Sequence, residues 1–255
     1  VGMKNIFIRP NDLCSYNAFF RGMEKRIYDK FQQSRKFDLF GTDYDGCLGA
    51  RTIDLEYYIV SRMVAFPDKS FEELENEYYS AFGAAAPEVK EFYLLWRRIG
   101  ERNLAGVKAH LKQKKQDLLD DGEIGRVMLG SGSAYSRTEM AGAVGILKRG
   151  LTKDLSERER FRLEELLIIQ EHAALTLKFI SEALAFQAGK PCELESVARE
   201  LTDYRIKYRN RIGWKWGELY NREEKRFWAL VKWYQGEVLK SKTDFDQPYV
   251  IPQFF

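Results

Sequence analysis

The chain has 255 residues, with 41 basic and 38 acidic side chains and a net charge of +3. That length buries one substantial core or two smaller ones. The two signs of charge are interspersed, which excludes a basic field suited to wrapping nucleic acid, and no apolar run of about 18 residues offers a membrane span.

The chain enters its first strand by residue 3 with no lead-in, and the expectation is that it continues a longer polypeptide. Residues 3–8 read as a strand with an Ile6-Phe7-Ile8 centre, the continuous apolar type found where both faces are covered. Pro10 ends it. Phe20, Met23, Ile27 and Phe31 then share one helical face at spacings of three and four. A second strand follows at Phe37–Phe40, ending in Gly41-Thr42-Asp43-Tyr44-Asp45-Gly46. Strand, amphipathic helix and strand in this order make a βαβ unit, so the strands should be parallel with a right-handed crossover. Parallel strands side by side place Asn11-Asp12 and Asp43-Tyr44-Asp45 at one edge, the carboxyl end, where α/β folds hold ligands. No third strand is evident downstream, and two parallel strands need neighbours.

From Thr52 onward the signals are helical. Ile53, Tyr57, Val60 and Val64 form a stripe that stops at Phe66-Pro67. Ser70-Phe71-Glu72-Glu73 is a capping box opening a helix with Leu74, Tyr78 and Phe82 on one face, and Gly83 suits its C-terminal cap. Pro87 fits the first turn of the next helix, with a seam of Val89, Phe92, Trp96 and Ile99. Lys108 to Asp121 reads as a solvated helix end, and Gly130-Ser131-Gly132-Ser133 as a linker. Two more capping boxes begin at Ser136 and Ser156. The second opens the longest helix, to about Phe186, apolar around most of its circumference and so expected at the centre of an antiparallel bundle. Leu194, Val197, Leu201, Tyr204 and Tyr208 define another helix, Phe227, Leu230, Tyr234 and Val238 a last one, and Thr243–Phe255 an extended tail.

Asp12, Asp43 and Asp45 are the leading chemical candidates. Neighbouring strands lie about 4.8 Å apart, so carboxylates on adjacent strand ends come within roughly 5–10 Å. That interval spans both glycosidase geometries, about 5–5.5 Å for retention and about 6.5–9.5 Å for inversion. Arg9 suits an anionic substrate group or a neighbouring aspartate. The bland alternative is that Asn11-Asp12 and Asp43–Gly46 are turn formers, chosen for backbone reasons. Asp43-Tyr44-Asp45-Gly46 opens like a calcium loop but lacks the remaining ligands.

Cys14, Cys47 and Cys192 show no CxxC spacing, and only His110 and His172 supply imidazole, so neither zinc nor another cofactor is indicated. Cys14 and Cys47 follow the two strands at similar intervals and are expected as buried free thiols, with a disulfide as the alternative. His172, within an apolar helix, reads as a hydrogen-bonded core residue. Trp214, Trp216, Tyr220, Trp228 and Trp233 read as core packing rather than a sugar platform.

Asn5-Ile6-Phe7-Ile8-Arg9-Pro10-Asn11-Asp12, Phe40-Gly41-Thr42-Asp43-Tyr44-Asp45 and the run Leu55–Met63, followed by Glu77–Ala86, resemble a bacterial family, the one labelled domain of unknown function 4838. More distantly, the order is similar to the end of the α-glucuronidase barrel and its helical C-terminal domain. The resemblance covers about the first 100 residues. It implies a carbohydrate-active (β/α)8 enzyme, usually exported, whose last strands are residues 3–8 and 37–42.

The fold expected is therefore mainly α with a short α/β part: residues 1–66 as the C-terminal end of a (β/α)8-like barrel and 67–255 as an α-helical domain. The function expected is part of a glycoside hydrolase acting with the upstream barrel on a carbohydrate substrate. Asp43 and Asp12 would be catalytic, with Arg9, Asn11, Tyr44 and Asp45 binding substrate. The alternative is a non-catalytic helical interaction or scaffold module.

Overall fold

A computed structural model describes residues 6–8, 19–37, 39–42, 54–113, 134–212 and 224–232. The first elements are strand β1 (Ile6–Ile8), helix α1 (Glu24–Ser34) and strand β2 (Leu39–Thr42). The strands pair in parallel, with Ile6 opposite Leu39 and Ile8 opposite Thr42, and a register shift between Ile6 and Phe7. The βαβ order expected from periodicity is therefore present. Among the described residues the sheet holds these two strands, so barrel closure is not shown.

The remainder is mainly helical. Helices α2 (Leu55–Ala65), α3 (Phe71–Ser80) and α4 (Ala86–Gln113) follow, then α5 (Arg137–Leu151), α6 (Glu157–Gln187), α7 (Leu194–Tyr208) and the short α8 (Lys225–Trp228). The starts of α3, α5 and α6 carry the expected capping boxes. Ser70, Ser136 and Ser156 each accept from the backbone N–H three residues on, while Glu73, Glu139 and Glu159 reach back to the cap. Such boxes satisfy two orphan donors locally, which is why they are legible without tertiary information.

The seam Val89, Phe92, Trp96 and Ile99 on α4 is buried as expected, as are Leu74, Tyr78 and Phe82 around α3. Helix α2 differs. Its core face is Leu55, Ile59 and Met63, while Tyr57 is half-buried and Val64 is 46% exposed. Of the stripe read as Ile53, Tyr57, Val60 and Val64, Val60 is buried as expected and Ile53 lies outside the described residues, but Val64 points away from the core, because this helix is apolar on several sides and a period alone does not orient it. Helix α6 packs against both α5 and α7. Its middle is buried on several sides, from Leu163 through Ile169, Ala173 and Phe179 to Ala183. One buried apolar cluster runs without a break from Phe19 to Val231.

Helix α1 is fastened along its length. Near its end the Tyr28 hydroxyl donates to the Lys69 carbonyl (2.8 Å), Gln32 Nε2 donates to the Pro67 carbonyl (2.9 Å) and Arg35 pairs with Asp68 (2.8 Å). At its start the backbone runs directly over α4. Gly22 has φ of +66°, and a Cβ there would meet the backbone of Trp96 and Arg97. On the facing helix, a Cβ at Gly100 would collide with the carbonyl oxygen of Arg21. Two glycines thus permit one backbone-to-backbone approach.

This contact predicts opposite outcomes for two chemically identical changes. Ala normally stabilises a helix interior over Gly by about 0.5–1 kcal/mol. Gly142→Ala in α5, where nothing lies within 4 Å, should gain that amount. Gly100→Ala should instead lose roughly 1–3 kcal/mol through overpacking. Urea unfolding midpoints at constant slope measure both.

Candidate functional site

The residues singled out for chemistry, Arg9, Asn11, Asp12, Asp43, Tyr44 and Asp45, lie outside the described residues, as do Cys14, Cys47, Trp214, Trp216, Tyr220, Trp233 and the Gly130–Ser133 segment. What the structure does provide is the frame that leads to them. Because β1 and β2 are parallel and Ile8 pairs with Thr42, Arg9 and Asp43 are the next residues after a paired position at one sheet edge.

Beside the start of α1 lies a buried polar cluster that periodicity did not flag. Met23, at the N-cap position of α1, makes no side-chain cap hydrogen bond. Its backbone N–H instead donates to Glu56 Oε1 of α2 (3.2 Å). The other oxygen of Glu56 accepts from Arg21 Nη2 at 2.7 Å and Nε at 3.2 Å. Helix α2 begins at the same place. Asp54 caps it by accepting from the Glu56 N–H, and the Leu55 N–H donates to the Tyr93 hydroxyl (3.2 Å). Two helix N-termini therefore converge on buried carboxylates, the charge sign that such termini favour.

Glu24, the first residue of α1, and Glu75 of α3 complete the cluster around Arg97 of α4. One guanidinium nitrogen of Arg97, Nη2, serves both carboxylates, at 3.1 Å from Glu24 Oε1 and in direct contact with Glu75 Oε1. Glu75 also accepts from the Tyr79 hydroxyl (2.7 Å). Glu24 is 1% exposed and Glu75 is 6% exposed. Burial pushes the Glu24 carboxyl up to about 8; Arg97 opposes the rise, and Glu56 and Asp54 add to it. Burial likewise raises the hydroxyls of Tyr78 and Tyr93, which hydrogen-bond each other at 2.9 Å and stay protonated.

A second buried polar group ties α6, α7 and the segment at 224–232 together. Arg205 forms a two-pronged pair with Glu224 (2.9 and 2.7 Å) and donates through Nε to His172 Nε2 (2.9 Å). Trp228 Nε1 also donates to Glu224 (2.7 Å). Burial, then the Arg205 charge, hold His172 well below its usual range, so the ring is neutral with its proton on Nδ1. His172 is thus the hydrogen-bonded core residue expected, and Trp228 is fully buried packing.

Among the described residues no group of three or more His, Cys, Asp or Glu is arranged to hold a metal ion. No helix among them is long and apolar enough to cross a membrane. No family model, curated protein or solved structure matches the chain.

The cluster at the start of α1 was invisible in the sequence because its members are spread over Arg21, Glu24, Asp54, Glu56, Glu75 and Arg97. The local trace was the charged Asp54-Leu55-Glu56 ahead of an apolar run, which a helix start explains equally well. Its energetics are testable. Glu56→Ala should cost about 3–5 kcal/mol, because Arg21 would be left buried without that carboxylate and α1 without its cap. Removing the partly exposed Glu77, which pairs with Lys69 and Arg62, should cost under about 1 kcal/mol. Comparable losses in denaturant unfolding would overturn this ranking.

Proposed function

We propose that the chain is the C-terminal portion of a carbohydrate-active glycoside hydrolase, contributing part of a sugar-binding and catalytic rim. The observation that supports this reading is the parallel pairing of β1 with β2 across α1. In sequence, Arg9-Pro10-Asn11-Asp12 and Asp43-Tyr44-Asp45 directly follow these paired strands, and α/β enzymes collect polar residues at the carboxyl ends of such strands. Two parallel strands gain from further neighbours, which in this reading are the upstream barrel strands. The following helices then form an antiparallel domain packed beside the last βαβ unit.

Asp43 and Asp12 take the acid, base or water-positioning roles. In glycoside hydrolysis one carboxyl protonates the leaving oxygen while a second carboxylate activates water or attacks the sugar carbon. Arg9, Asn11, Tyr44 and Asp45 hold sugar hydroxyls or tune the aspartates.

A non-catalytic helical scaffold is the second reading. It is supported by the large buried cluster that links α1 to the residues near Val231 and so packs helices from both ends of the described chain together.

Assay of the protein with its native flanking sequence on a panel of glycosides separates the two. The enzyme reading expects turnover, with Asp43→Asn and Asp12→Asn each lowering kcat about 100-fold or more at unchanged thermal stability. Absence of turnover on every glycoside, or aspartate variants that lose stability and not rate, supports the scaffold.

A further inference from the structure

We propose that Glu24, Arg97 and Glu75 form a proton-dependent latch that closes the start of α1 onto α3 and α4. The proposal is independent of the glycosidase reading. It rests on a mismatch of charge and geometry at one buried point.

Arg97 presents a single nitrogen, Nη2, to two buried carboxyls, while its Nε is buried with no hydrogen-bond partner. A guanidinium usually meets a carboxylate through two parallel bonds, each charge matched to one opposite charge. Here one positive charge is shared by Glu24 and Glu75, which come from different helices. Two ionised carboxylates on a single cation leave an excess negative charge in a water-poor setting, which is costly. Sharing one cation in this way disfavours the ionised form of the fully buried Glu24.

Among the described residues, the other charged and titratable groups around Glu24 come from the segment before α1 and from α2, α3 and α4. From the segment before α1, Arg21 is engaged with Glu56. From α2, Asp54 and Glu56 add negative potential at Glu24. From α3, Glu75 shares Arg97, and the Tyr78 and Tyr79 hydroxyls stay protonated. From α4, Tyr93 is likewise neutral and Arg97 is the cation. The N-terminal position of Glu24 on α1 favours its charge, but burial outweighs this and its carboxyl is pushed up to about 8.

The sign of the linkage follows. The folded-state value lies above the ordinary 4.5, so the stabilising contribution is fully present below about 4.5 and is lost as pH rises through about 8. On the alkaline side the proton passes to solvent, and the Glu24 and Glu75 carboxylates compete for one guanidinium. The first turn of α1 then loses its hold on α3 and α4. The far end of the helix keeps its hydrogen bonds from Tyr28 and Gln32 to the Lys69 and Pro67 carbonyls, and neither acceptor titrates. Opening is therefore confined to the start of the helix that connects β1 to β2.

Hydrogen exchange resolved along α1 tests this, with rates corrected for the intrinsic pH dependence of amide exchange and α6 as the internal reference. In the wild-type chain, protection over residues 24–28 should fall about tenfold between about pH 6.5 and 9, while α6 is unchanged. Glu24→Gln, which keeps the neutral form's shape, should remove that pH dependence. Glu75→Gln leaves Arg97 to Glu24 alone and should also flatten the profile. A wild-type profile that is flat at the start of α1, or a slope retained in either variant, overturns the proposal. The wild-type measurement decides alone if the variants fail to fold.

Discussion

The placement of α1 against α4 is the constraint from which the rest of the arrangement follows. Gly22 and Gly100 let the backbone at Arg21 rest on the backbone of α4, and no residue with a Cβ fits at either position without displacement. That approach brings Arg21 and Met23 to Glu56, and Glu24 to Arg97. Since α1 is the crossover between two paired strands, fixing it fixes the helix that joins β1 to β2. The hydrogen bonds from Tyr28 and Gln32 to the turn after α2 complete the attachment.

Buried ion pairs of this kind are weak sources of net stability, because desolvation offsets most of their attraction. Their effect is selective. A start of α1 shifted by one residue would leave Arg21 and Glu56 unmatched in the interior, which is far worse than the loss of an apolar contact. The same logic holds for Arg205, Glu224 and His172, which fasten the 224–232 segment to α6 and α7 in one register. Apolar burial along the Phe19–Val231 cluster supplies the driving force, and the polar groups choose among the ways of packing it.

Legibility in the sequence followed the range of the interaction. The capping boxes at Ser70, Ser136 and Ser156, the seam on α4 and the parallel βαβ order depend on residues close in the chain, and each appears where expected. The face of α2 does not. Its apolar residues occupy adjacent stripes, and only the position of α4 and α3 selects Leu55, Ile59 and Met63 over Val64. The candidate aspartates were found by their positions after strand ends, whereas the Arg97 cluster draws on four elements and leaves no local pattern.

The starts of α3, α5 and α6 and the order of elements were thus determined by the sequence itself, because caps and periodicity act over three or four residues. The tertiary structure alone decided which helix faces turn inward, and which charges share the interior. It alone decided that one guanidinium serves two carboxyls at the start of α1. Such pairings are set by closure of the chain over long separations, where the energy of burial depends on neighbours that no local window contains.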